Sequence, residues 1–173
     1  MKPTISWPPY SVFKKRPLPG LDMRTMFVGP SGAGKTTLIN ALLLEHKEAN
    51  KTQTVDFRGE YVDTPGEYAE IPRFYQNCFI STQQADLVVV VLAADVDREQ
   101  IPQGWTLALL KPVVGVVSKI DRPQADIART IRFLAHAGVQ PPYYPVSART
   151  GEGVKELKDV IKQRCFDISK EVV

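Results

Sequence analysis

Cysteine is scarce in this chain: Cys78 and Cys165 stand far apart, with no Cys-x-x-Cys spacing and no Cys/His cluster. That argues against a thiol-based zinc site and a disulfide framework, and both residues are read as small buried apolar groups. Histidine is equally sparse. His46 and His136 are isolated near predicted helix ends, where an imidazolium complements the dipole, and neither is read as a metal ligand. Long apolar runs are missing too. The longest, residues 87–94, falls far short of the ~20 residues that span a bilayer, and no charged-then-apolar start resembles a signal peptide. The expectation is a soluble cytoplasmic protein.

Excess charge is also nearly absent. The net charge is +3, and Lys2, Lys14, Lys15 and Arg16 against Asp22 account for all of it. The remaining chain is balanced, which argues against broad nucleic-acid binding. At 173 residues there is room for one domain and one principal site. Residues 1–22 hold Pro3, Pro8, Pro9, Pro17 and Pro19 and show no helical or strand period, so they are expected to form an extended, poorly ordered arm. Trp7 belongs to that arm, whereas Trp105 is read as a packing residue. Residues 23–173 are expected to be the folded domain.

Within that domain strands and helices alternate. Strands are predicted over 23–28, 54–57, 60–63, 86–92, 113–118 and 143–146, the second and third pairing as a hairpin around Arg58-Gly59. Helices are predicted over 35–45, 71–84, 125–137 and 154–163, with a short one starting at Pro102. The Val-rich 86–92 segment suits a strand buried on both faces. The pattern points to a three-layer α/β/α sandwich with a mostly parallel sheet.

Gly29-Pro30-Ser31-Gly32-Ala33-Gly34-Lys35-Thr36 fits the P-loop pattern, Gly, four residues, Gly-Lys-Ser/Thr, between a predicted strand and a predicted helix. Its glycines let the backbone N–H groups curl toward phosphates, and the helix N-terminus that follows, including Thr37, adds partial positive charge. Lys35 is assigned to the terminal phosphates and Thr36 to Mg²⁺. Lys35 is expected to be exposed, so that its removal spares the fold. Asp63-Thr64-Pro65-Gly66 follows the third strand, where Asp63 can reach the metal through water and Gly66 can offer its N–H to a γ-phosphate. Alone, Asp-x-Pro-Gly is an ordinary turn sequence.

Ser118-Lys119-Ile120-Asp121 resembles the Asn/Thr-Lys-x-Asp base-reading motif of GTPases. Asp121 can accept from the N1–H and exocyclic amine of guanine, whereas adenine presents an acceptor there. Lys119 would lie along the base. Ser118, in place of Asn or Thr, is expected to lose a loop-bracing hydrogen bond. Ser147-Ala148-Arg149 resembles the Ser-Ala-Lys element whose amide meets the guanine O6. Thr52 and Thr54 are both candidates for a switch threonine on Mg²⁺. Glu67 stands where signalling GTPases carry a water-orienting glutamine; it is either a base toward a nucleophile or a solvated residue that leaves turnover slow.

The set GPSGAGKTTLINAL, KTQTVDF, DTPGEY, KPVVGVVSKID and VSARTGEGVKEL resembles the EutP/PduV family of ethanolamine and propanediol utilisation. The resemblance implies a Ras-like P-loop NTPase fold with a six-stranded sheet and one antiparallel edge strand. It also implies a GTP/GDP site with Mg²⁺ and association with bacterial microcompartments and their shell or cargo proteins. Two alternatives come with it: an ATP/ADP-dependent acetate kinase on the same fold, and a shell-docking protein whose nucleotide site is mainly structural.

Overall fold

The computed structural model describes residues 23–44 and 54–171. The arm 1–22, Thr52 and His46 lie outside the described residues. Six strands form one sheet in the order β2-β3-β1-β4-β5-β6: β1 Thr25–Val28, β2 Asp56–Arg58, β3 Tyr61–Asp63, β4 Leu87–Ala93, β5 Val113–Ser118 and β6 Tyr143–Pro145. Every pairing is parallel except that of edge strand β2 with β3, as expected of a hairpin closed by Gly59 at φ 62°.

Side chains alternate across the sheet because a strand has a period of two. Met26 and Val28, with Val88, Val90 and Leu92, face a cluster completed by Cys78, Trp105 and Leu134. Phe27, Val89 and Val91 face the opposite cluster, completed by Leu38, Leu42, Leu157 and Ile161. Helices α1 (Lys35–Leu43) and α5 (Val154–Glu171) therefore cover one face. Helices α2 (Glu67–Glu70), α3 (Tyr75–Thr82) and α4 (Ile127–His136) contribute to the core on the other. All residues of β4 are buried, as its valine run requires.

Several local expectations are revised. The predicted 71–84 helix is a 3₁₀ turn, Pro72–Phe74, running into α3; it begins at Pro72, where the missing N–H is not needed, with Ile71 extended before it. The short helix expected from Pro102 is a 3₁₀ turn at Trp105–Leu109. The closing helix runs well beyond 163, to Glu171, because Cys165 and Ile168 continue the apolar stripe of Leu157 and Ile161 against the same cluster. His136 is not isolated: its Nδ1 lies 2.9 Å from Glu99 Oε2. Trp105 packs edge-on to Tyr75 and beside Phe79. Cys78 is buried and Cys165 half-buried.

From β1 the chain crosses to β3 on one side and then to β4 on the other, so the carboxyl end of β1 is the topological switch point. Ligands of open parallel sheets bind at such a point.

Candidate functional site

The 29–36 loop leaves the carboxyl end of β1 and turns directly into α1. Gly29 runs so close to β4 that a Cβ there would lie 2.1 Å from the Val91 carbonyl oxygen. Gly34 precedes α1 in the left-handed region, at φ 86°, and its carbonyl accepts from Leu38 N at 2.9 Å to start the helix. The first N–H groups of α1 consequently have no intrahelical acceptor and face the loop, the arrangement that binds anions.

Lys35 is buried, contrary to the expectation of an exposed lysine; it is only 6% exposed. Its Nζ donates to the carbonyls of Gly29 at 2.7 Å and Pro30 at 3.0 Å, spanning the loop. Burial pushes its pKa down to about 8, while the negative charges of Asp63 and then Glu70 work in the opposite direction. Thr36 Oγ1 donates to Asp63 Oδ2 at 2.5 Å, so a hydroxyl from α1 and a carboxylate from the end of β3 lie side by side. Two adjacent hard oxygens beside the glycine-rich loop fit the donor set of Mg²⁺, which takes few protein ligands and leaves the other positions to water or ligand oxygens. Thr54 is described and exposed.

Gly66 closes over the loop. A Cβ on it would fall 2.2 Å from Ser31 N and 2.4 Å from Ser31 Cα, so only glycine permits this approach. Glu67 follows as the first residue of α2 and is half-buried. Thr64 fixes the start of this segment by donating to the Phe27 carbonyl at 2.7 Å.

The second half of the site stands at the ends of β5 and β6. Ser118 Oγ donates to the Ala33 carbonyl at 2.5 Å and lies 3.3 Å from that of Leu92. The expected loss of a loop brace at this position is therefore wrong: a serine hydroxyl reaches the loop because Ser118, at the end of β5, is level with Ala93 of β4. Replacing Ser118 with Ala should lower the melting temperature by about 2–4 °C, the effect of ~1 kcal/mol in a domain of this size, whereas Ser118→Thr should hold it. Thermal melts of the two variants check this.

Asp121 is gripped at both oxygens. Ser147 Oγ donates to Oδ1 at 2.6 Å and Arg149 Nε to Oδ2 at 2.8 Å. The Ser147 hydrogen bond chiefly, with help from Arg149, holds the carboxyl below its ordinary pKa, so it is ionised at neutral pH. A cavity of about 290 Å³ joins this carboxylate to the helix start, lined by Gly34, Thr37, Ser118, Lys119, Asp121, Ala148 and Arg149. Its volume lies near the lower end of small-molecule sites, ~300–1,000 Å³. Lys119 Cε lies 3.6 Å from where a Gly34 Cβ would stand, so the lysine stem lines the cavity beside the loop.

The described P-loop, Asp63-Gly66, Ser118-Asp121 and Ser147-Arg149 residues are thus brought to the carboxyl end of the sheet. Arg122 and Leu38 also line the cavity, and Glu70 reaches the loop at Ser31; none of the three was anticipated. Arg122 could have been found by its adjacency to Asp121. No sequence signal marked Glu70.

The chain is similar to proteins of known families. A model of the PduV-EutP family, described as ethanolamine utilisation and propanediol utilisation, matches residues 22–163. "Probable acetate kinase EutP" of Escherichia coli (strain K12) is 37% identical over 141 residues, covering 80% of this chain and 88% of the relative. "Propanediol utilization protein PduV" of Citrobacter freundii is 35% identical over 136 residues, covering 78% and 89%. Among solved structures, a probable GTP-binding protein engB superposes with a TM-score of 0.58 at 22% identity, covering 86% of this chain and 99% of that one. The likeness to engB supports the P-loop NTPase fold.

Proposed function

The chain belongs to the PduV-EutP family of ethanolamine and propanediol utilisation, and from that premise we propose that it is a Mg²⁺-dependent purine-nucleotide-binding protein that prefers GDP and GTP. The observation that carries this reading is the single cavity linking the α1 N-terminus to an ionised, doubly held Asp121. A carboxylate, with two acceptor oxygens, matches the paired donors of guanine. Adenine would leave one oxygen facing a ring acceptor, a buried mismatch that such sites reject strongly.

In this reading the amides of residues 30–37 and Lys35 hold the phosphates, Lys119 lies along the base, and the Ala148 N–H meets the guanine O6. Thr36 and Asp63 hold the metal, with Thr52 and Thr54 as further candidates. Bound Mg²⁺ would neutralise and bridge phosphate oxygens. Glu67 is an anion where a neutral glutamine would orient water, so hydrolysis is slow. The protein acts as a nucleotide-dependent switch or assembly factor in ethanolamine or propanediol catabolism, in association with microcompartment shell or cargo proteins.

A second reading has a specific support: the Escherichia coli relative bears the name of a probable acetate kinase. There the same cradle would hold ATP, and the phosphoryl group would pass to acetate. Titration of the protein with GDP, GTP, ADP and ATP in Mg²⁺ separates the two. Guanine nucleotides are expected to bind at least tenfold more tightly, about 1.4 kcal/mol or more. Tighter adenine binding together with acetyl phosphate formation from ATP and acetate would establish the kinase instead.

A further inference from the structure

Neither phosphate binding nor base reading calls for an acid at the end of α2, yet Glu70 stands there and reaches the loop. Its Oε1 accepts a hydrogen bond from the Ser31 backbone N–H at 2.9 Å, joining residues 39 positions apart. The contact is a charged one, stronger than a neutral amide bond. It forms because Gly66 lays the segment after β3 directly on Ser31. Glu70 is also felt at Lys35, where it is the second carboxylate, after Asp63, opposing the effect of burial on the ammonium. One fixed negative charge therefore lies at the crest of the loop, on a loop amide and within electrostatic reach of its lysine.

We propose that Glu70 is a specificity-determining residue that sets the preference of the site for nucleoside diphosphates over triphosphates, acting as an internal anion that competes with the terminal phosphate. This rests on the reading of the 29–36 loop as a phosphate cradle, but not on which purine is bound. The first two phosphates of a nucleotide whose base lies against Asp121 fall at the α1 N-terminus, next to the base cavity. A third extends away from that cavity, toward Ser31 and Gly66. There it meets a carboxylate of like charge, and a donor that the carboxylate already uses. The triphosphate must displace Glu70, which the diphosphate leaves in place.

The proposal is tested by measuring dissociation constants for GDP and a non-hydrolysable GTP analogue in Mg²⁺, with the adenine pair alongside, for the unaltered chain, Glu70→Gln and Glu70→Ala. Glutamine keeps an acceptor for Ser31 and removes only the charge. The ratio of triphosphate to diphosphate constants should fall about tenfold in Glu70→Gln and further in Glu70→Ala, while the diphosphate constant stays within about twofold. The same change in the adenine pair, should that be the tighter one, supports the proposal equally. An unchanged ratio, or equal weakening of both nucleotides, overturns it and leaves Glu70 as a brace of the loop. An unaltered chain that binds none of the four overturns the nucleotide reading, and this inference with it.

Discussion

Lys35→Ala is expected to weaken triphosphate binding by about two orders of magnitude or more while the domain stays folded. The loop wraps this ammonium, which is held by the carbonyls of Gly29 and Pro30. Its loss removes the charge that meets the terminal phosphates. The domain is expected to stay folded at neutral pH because the cost of burying the charge, seen in a pKa lowered to about 8, offsets the two hydrogen bonds that are lost. The sign follows from proton binding: above about pH 8 the folded protein releases this proton while the unfolded chain, near 10.5, still holds it. The unfolded state then binds more protons, so the Lys35 contribution to stability rises with pH between those values, by an amount on the order of 3 kcal/mol. Phosphate, by contrast, favours the charged form. Nucleotide affinity should therefore decline as pH passes upward through about 8, and that component should vanish in Lys35→Ala. Calorimetric titrations at several pH values and parallel melts check both halves; a variant that no longer folds would show that the lysine is structural.

Asp121→Asn should exchange one base for another. A carboxylate offers two acceptors, whereas an amide offers one acceptor and one donor. Guanine presents two donors on that edge, but xanthine presents a donor and an acceptor, so the variant complements xanthine. Affinity for GDP is expected to fall by about a hundredfold or more, with XDP rising to become the tighter ligand. Ser147 and Arg149 sharpen the effect: they hold the carboxylate at both oxygens, and Arg149 Nε, a donor, would oppose an amide NH₂ turned toward it. That pairing leaves the amide oxygen on Arg149 and sets its NH₂ beside Ser147, whose hydroxyl can accept. Competition between GDP and XDP for the variant reads the outcome. Equal loss of both would mean that Asp121 supports the loop without reading the base.

Much of the architecture was legible in the chain because strands and helices carry distinct periods. The valine-rich 86–92 run reads as a strand buried on both faces, and the short Arg58-Gly59 turn as a hairpin, whereas the strand order alone puts β2 at an edge. Where an expectation failed, a local rule was outweighed or left incomplete. The 71–84 segment starts at Pro72 as a 3₁₀ turn before it becomes a helix at Tyr75, a division that the apolar period does not mark. The stripe through Cys165 and Ile168 extended the last helix because there was a core for it to cover.

The chemistry of the site divides in the same way. Sequence alone specified which groups are present and in what order: a glycine-rich loop with its lysine, an acid after the third strand, and an Asp-bearing loop after the fifth. Those follow from spacing within a few residues, where the backbone geometry of a strand end or helix start leaves little freedom. Only the tertiary structure decided what each group touches: that Lys35 is buried, that Ser118 braces Ala33 across 85 positions, and that Glu70 lies on Ser31. Such contacts depend on the order of strands in the sheet and on the dielectric of the packed interior, and neither quantity is a property of any short stretch of chain.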